Sequence, residues 1–187
     1  MKGFVKYMDN KPSRSKFHIG MRNIKTALAA TLCALLYLPF DRNPTFACIG
    51  AIFGIGNDME SSKLLGGNRF FGTLIGGLIG IALFSIYIIF YPNGENSPLM
   101  LLFVFVGVVI VILISQVFNM FGAIPPGGVV LCIILFNTPV EHYVIHSLNR
   151  MLDTAIGVTV ALLVNQFLPR QKVVDVLYKL KLRKTKH

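Results

Sequence analysis

Long apolar runs are the feature that most constrains the fold of this chain. The runs 69–91 and 99–120 are as long as the ~20 residues that an α-helix needs to cross the ~30 Å hydrocarbon core of a bilayer. Hydrophobic residues make up 54% of the sequence and charged residues only 14%. Because this composition leaves too little polar surface to cover a soluble domain, it predicts an all-α integral membrane protein.

Four further apolar runs complete a set of six predicted transmembrane helices. They lie at 24–40, 45–56, 121–136 and 148–168. The second and fifth runs are short and are interrupted by Gly or Pro, so we expect them to need polar residues to cross the membrane. The six-helix membrane domain is therefore predicted over 24–168.

The basic charge lies at the two ends of the sequence. Met1–Lys25 and Arg170–His187 each contain seven Lys/Arg against a single Asp, whereas the region between them has four basic and six acidic residues. Loops rich in Lys/Arg stay cytoplasmic, so segments 1–23 and 169–187 are predicted to be basic cytoplasmic tails, N-in and C-in, that contact anionic lipid. The terminal distribution argues against nucleic acid as a partner.

The chain repeats itself at a shift of 81 residues. The shift pairs five scarce polar or proline residues with identical ones: Pro44 with Pro125, Glu60 with Glu141, Asn68 with Asn149, Arg69 with Arg150, and Thr73 with Thr154. The two repeats, about 24–91 and 99–168, each contain three predicted spans. Because three is an odd number, the second repeat starts on the opposite side of the membrane from the first, so the two halves are inverted. Short, Gly/Pro-interrupted segments at corresponding positions of inverted halves indicate a transport site.

The pattern Asn-Arg-x-x-x-Thr-x-Ile-Gly occurs at 68–76 and again at 149–157. It resembles the fusaric acid resistance and aromatic acid exporter group of bacterial membrane proteins. The resemblance covers roughly residues 20–168 and implies a six-helix domain in the bacterial cytoplasmic membrane and the efflux of aromatic carboxylic acids. Members often carry a cytoplasmic domain after the membrane domain, and we expect its function to be absent here or supplied by another chain.

Arg69 and Arg150 are the first candidate residues of a substrate pathway. Both are predicted near the start of a span, where exposed backbone N–H groups and the helix dipole favour an anion. The alternative is that they pair with Glu60 and Glu141, or with lipid phosphate, and only anchor their helices.

Asp153 is the second candidate, because a carboxylate inside an apolar span costs about 2.5–3.5 kcal/mol on insertion scales and needs a partner or a proton. Arg150 is its predicted partner. If Asp153 instead faces a cavity, it could couple export to a proton gradient. Glu60, Glu141, Thr73 and Thr154 are pathway candidates as well, although threonine hydroxyls most often bond back to their own helix.

No catalytic, cofactor or metal constellation is predicted. His142 and His146 have the spacing of metal ligands on a helix, but no second ligand cluster accompanies them. Cys33, Cys48 and Cys132 lie far apart in apolar runs and are interpreted as small hydrophobic residues. The chain is not expected to be an enzyme.

The sequence thus favours an exporter of small organic anions such as aromatic carboxylic acids, with proton coupling as an option. A non-transporting membrane interaction or assembly subunit, and a passive anion channel, are the alternatives. Gly72, Gly76 and Gly80 predict a close helix-packing seam, which could serve a homo-oligomer as readily as an internal contact.

Overall fold

The computed structural model describes residues 20–92 and 97–168. The two predicted basic tails, apart from residues 20–23, and residues 93–96 lie outside these ranges. Within them the chain is helical, without strands. The helices are α1 (Met21–Tyr37), α2 (Thr45–Gly54), α3 (Met59–Phe90), α4 (Pro98–Val117), α5 (Ile124–Asn137) and α6 (Tyr143–Phe167), with 3₁₀ turns at Leu38–Phe40, Phe121–Ala123 and Val140–His142.

Four of the described helical segments are long and apolar enough to cross a membrane. They are Met21–Phe40, Met59–Phe90, Pro98–Val117 and Val140–Phe167. The other two, Thr45–Gly54 and Phe121–Asn137, are shorter apolar helices. The structure therefore supports an all-helical membrane protein with four membrane-length helices, and the two shorter helices correspond to the second and fifth predicted runs.

Two helices begin well before their predicted starts. α3 begins at Met59 rather than Arg69, because Asp58 and Ser61 form a capping box in which the Ser61 N–H donates to Asp58 Oδ1 at 2.7 Å. α6 begins at Tyr143 rather than at residue 148. The prediction that Arg69 and Arg150 lie at helix starts is therefore wrong. Both lie in the helix interior, where backbone N–H groups are already bonded within the helix.

The glycine seam on α3 packs against α5. A Cβ at Gly72 or Gly76 would overlap the backbone of Ala123 or Gly127, and a Cβ at Gly80 would press on Ile134. The predicted packing face is confirmed, and its partner is another helix of the same chain.

A similar close contact joins α2 to α6. A Cβ at Gly50 would lie 2.9 Å from the Thr154 carbonyl oxygen, and one at Gly157 would overlap the backbone of Ala47. Each short helix thus packs closely on the long third helix of the other sequence repeat. Small residues at both contacts allow the backbones to approach, as is common between membrane helices.

Two hydrophobic clusters fill the described bundle. One joins α1, α2 and α6 through small side chains that include Ala29, Cys33 and Ala51. The other joins α3, α4 and α5 through larger ones that include Phe84, Tyr87 and Leu131. The first cluster lies among the helices that also hold the buried Lys25, Asp153 and Asn165.

Candidate functional site

Asp153 is buried in α6, with 4% of its surface exposed. Its Oδ1 accepts a hydrogen bond from the Tyr37 hydroxyl at 2.6 Å and lies 2.9 Å from Nη2 of Arg42. The Arg42 side chain is 39% exposed, so the pair connects the interior to the surface. Tyr37 and Arg42 stand on either side of the turn that ends α1, and this turn brings both to one carboxylate oxygen.

The prediction that Arg150 is the partner of Asp153 is wrong. Although the two residues are three apart on α6, Cζ of Arg150 lies 4.2 Å from the centre of the Phe46 ring on α2. Arg42, from the connection between α1 and α2, takes the carboxylate instead and also donates to the Asn149 carbonyl at 3.5 Å. Spacing within one helix could not reveal a competing cation from another segment.

Arg69 and Arg150 both contact phenylalanine rings of the same helix, α2, which their positions in the repeat do not predict. Cζ of Arg69 lies 5.5 Å from the centre of the Phe53 ring, so each guanidinium stands over a phenylalanine of α2. Such cation–π contacts are attractive. One nitrogen in each group, Nε of Arg69 and Nη1 of Arg150, is buried without a hydrogen-bond partner. Both side chains therefore have a donor directed at no acceptor of the described chain.

Glu60 and Glu141 do not pair with these arginines. Glu60 is exposed in the first turn of α3, and Glu141 is exposed in the 3₁₀ turn before α6. Among the residues described, Arg42 with Asp153 is the pair within salt-bridge distance. The alternative in which the two glutamates fix Arg69 and Arg150 is therefore wrong.

The two rings lie on the same face of α2. Phe46 and Phe53 are separated by about two helical turns, which places them about 10 Å apart along the helix axis. One arginine comes from α3 and the other from α6, so a single face of a short helix has two guanidinium–phenyl pairs in succession.

Thr73 and Thr154 bond to their own helices. Their hydroxyls donate to the carbonyl oxygens of Arg69 and Arg150, each at 2.9 Å, and both residues are buried. This is the more common of the two behaviours weighed for them.

A second buried polar group joins α1 to the end of α6. Lys25 Nζ donates to Asn165 Oδ1 at 2.6 Å, and Asn165 Nδ2 donates at 2.7 Å to both the Asp58 carbonyl and Ser62 Oγ. Asn165 thus links α6 to both α1 and α3.

Sequence reasoning missed the roles of Lys25, Tyr37 and Arg42. In the sequence, Lys25 and Tyr37 lie within the first apolar run, 24–40, and Arg42 lies in the short link before the second. The signal available in the sequence was that Lys25 and Arg42 each lie within or next to an apolar run. A charged side chain at such a position is close enough to the helix bundle to be buried in it. No group of three or more potential metal ligands occurs within 20–92 and 97–168.

Membrane-length helices with ionisable side chains between them are typical of membrane transporters. The chain belongs to the aromatic acid exporter family, since the family model "Aromatic acid exporter family member 1" matches residues 17–168. This agrees with the resemblance drawn from the repeated Asn-Arg motif.

A relative supports the assignment over part of the chain. The UPF0421 protein SSP0904 of Staphylococcus saprophyticus is 38% identical over 80 residues, which are 43% of this chain and 23% of that protein. The chain thus matches under a quarter of the relative's length. No solved structure matches the fold.

Proposed function

We propose that this chain exports small organic anions, such as aromatic carboxylic acids, across the bacterial cytoplasmic membrane. The observation that carries the proposal is the pair of guanidinium groups, Arg69 and Arg150, each over a phenylalanine of α2 and each with a buried N–H that lacks an acceptor. Membership of the aromatic acid exporter family supports the same class of substrate.

The chemistry of these pairs suits an aromatic acid. A guanidinium offers several N–H donors in a planar fork that matches a carboxylate, and a phenyl ring offers a stacking surface for an aromatic ring. A buried donor without an acceptor costs about 1–3 kcal/mol. A bound carboxylate would supply the missing acceptor at Arg69 or Arg150.

The path we propose follows one face of α2. Phe46 and Phe53 are about 10 Å apart along the helix axis, so an anion would move by about this distance from one arginine to the other. The equivalent contacts of α2 with α6 and of α5 with α3 support two related three-helix halves. In this proposal the halves are inverted, N-in and C-in, and the short helices contribute to the pathway.

Proton coupling is assigned to Asp153 in this proposal. Protonation of its carboxylate would weaken the attraction to Arg42, whose side chain is partly exposed, and would loosen the connection between the α1–α2 turn and α6. A proton entering here could thereby drive the helix rearrangement that export requires.

The same face of α2 favours a homo-oligomer. Phe53 is 60% exposed in the single chain although it stands beneath Arg69. A second copy over this face would enclose the guanidinium–phenyl pair. By contrast, Gly72, Gly76 and Gly80 are already occupied by α5, so the glycine face does not favour the alternative of an interaction subunit. The basic tails would hold anionic lipid at the cytoplasmic surface.

Reconstitution in liposomes tests the proposal. The flux of 4-hydroxybenzoate is measured with and without a pH gradient, after subtraction of the flux into empty liposomes, for the wild type and for Asp153→Asn. We expect protein-dependent flux that the gradient accelerates in the wild type only. A gradient-independent flux that is unchanged in Asp153→Asn would identify a passive channel, and no protein-dependent flux would refute transport of this substrate.

A further inference from the structure

We propose that a separate carboxylate-binding site lies at the end of the bundle where α1 begins and α6 ends, centred on Lys25. The site is distinct from the two arginine pairs on α2. It rests on the proposed function only for the choice of a small aromatic acid as its ligand.

Lys25 is a buried cation without a matching anion among the residues that the structure describes. Only 2% of its surface is exposed, and its ammonium donates one hydrogen bond, to the Asn165 amide oxygen at 2.6 Å. Within the described ranges no carboxylate lies at salt-bridge distance from it. An ammonium group has three donors, and a buried charge is expensive unless it is paired. Two donors and one positive charge therefore remain for a ligand.

The surroundings of Lys25 hold it in place. Asn165 donates from Nδ2 to the Asp58 carbonyl and to Ser62 Oγ, and Ser62 Oγ in turn accepts the Gly56 N–H at 2.7 Å. These contacts fix the orientation of the amide, so that its oxygen faces the ammonium. Such preorganisation reduces the entropic cost of binding an anion.

A cavity opens beside this network. It has a volume of about 330 Å³ and is lined by Gly20, Met21, Arg22, Lys25 and Asn57. This volume is at the lower end of the range for small-molecule pockets, which suits a single-ring acid. Of the described residues that line it, two are cationic and none is acidic.

Arg22 can contribute to the same anion. Its Nε donates to the Ile55 carbonyl at 3.1 Å, which anchors the side chain and leaves its two terminal nitrogens as further donors. The nearest acidic residue in sequence to the cavity, Asp58, has its carboxylate engaged in the cap of α3. The cavity is therefore lined by a lysine, an arginine and an asparagine, whose side chains carry the N–H donors that a carboxylate accepts.

Photoaffinity labelling tests this site. The full chain in phosphatidylcholine nanodiscs is labelled with 4-azidobenzoate, and the labelled peptides are mapped by mass spectrometry. We expect label on residues 20–25 and 55–58 that excess benzoate displaces and benzamide does not. Lys25→Met should reduce this label by about tenfold, because a hydrogen bond to a charged group is lost.

Two further variants separate a ligand contact from a structural effect. Lys63→Met removes an exposed lysine early in α3 and should leave the label unchanged. Lys25→Arg keeps the cation and should retain most of the label. Equal labelling in Lys25→Met, or loss of label in Lys25→Arg as well, would overturn the proposal.

The source of the anion is distinguished by lipid composition. In nanodiscs that contain phosphatidylglycerol we expect the benzoate-displaceable label to persist, whereas its loss would assign the site to a lipid phosphate and overturn the proposal. Labelling is independent of flux. Lys25-dependent label without transport would refute only the exporter, and transport without such label would refute only this site.

Discussion

Nη2 of Arg42, in the turn after α1, lies 2.9 Å from the buried carboxylate of Asp153 in α6. Tyr37 donates to the same oxygen, and at the opposite end of α1 Lys25 donates to Asn165 near the end of α6. α1 and α6 are thus joined by polar contacts at both ends. Between these contacts they pack through small apolar residues.

The Arg42–Asp153 pair should show measurable coupling. We expect the double-mutant cycle of Arg42→Gln and Asp153→Asn, measured by unfolding in detergent micelles, to give an interaction energy of about 0.5–1 kcal/mol. The value is modest because the Arg42 side chain is 39% exposed. Independent, additive effects of the two substitutions would contradict the pairing.

The close approach of α6 to α2 predicts that alanine at Gly157 lowers the stability of the protein, whereas alanine at Gly67, outside this contact, does not. Gly157→Ala should destabilise the protein by about 1–3 kcal/mol, because its Cβ would overlap the backbone of Ala47. Gly67→Ala, in the interior of α3 with nothing within 4 Å of the new Cβ, should instead be neutral or stabilising. Equal unfolding temperatures for the two variants would argue against this packing.

The cap of α3 predicts a dependence of stability on acid pH. The Ser61 hydroxyl and backbone N–H beside the Asp58 carboxylate lower its pKa. Because the folded-state pKa lies below the unfolded value of about 3.9, this stabilisation is present above that pH and is lost as the pH falls through the folded-state pKa.

Asp58→Asn keeps an amide cap but removes the titration. We expect the difference in unfolding temperature between wild type and Asp58→Asn to be constant from pH 7 to about pH 5 and to shrink below about pH 4. A difference that does not change down to pH 3 would contradict this account.

The inverted arrangement predicts which sites face which side of the membrane. A single cysteine at Glu95, in a cysteine-free background, should react with an impermeant maleimide added outside intact cells. One at Lys186 should react only after the membrane is permeabilised. Reaction of both from the same side would exclude an N-in, C-in arrangement of two inverted halves.

The apolar pattern and the glycine spacing predicted much of the fold. The seam at Gly72, Gly76 and Gly80 could be predicted because a helix face without side chains allows another backbone to approach closely. The start of α3 could not, because Ser61, Ser62 and Lys63 read as a polar loop until the Asp58 cap and the contact of Ser62 with Gly56 are known.

The site was less predictable, because its partners come from distant segments. The 81-residue repeat identified Arg69 and Arg150, but their contacts with Phe53 and Phe46 depend on where α2 packs. The two repeats are not identical at this site. Asp153 aligns with Gly72, so the buried carboxylate occurs in one half only, and the aligned sequence offers no second copy of its site.

The flux of an aromatic acid past the two arginines tests the central claim most directly. Proteoliposomes that contain wild type, Arg69→Gln, Arg150→Gln or the exposed-site control Lys63→Gln are compared for uptake of 4-hydroxybenzoate and of its uncharged amide. We predict that the wild type carries the acid and not the amide, that each arginine variant lowers acid flux by about tenfold or more, and that Lys63→Gln matches the wild type. Acid flux that is no greater than in empty liposomes, or that is equal in the wild type and both arginine variants, would contradict the account.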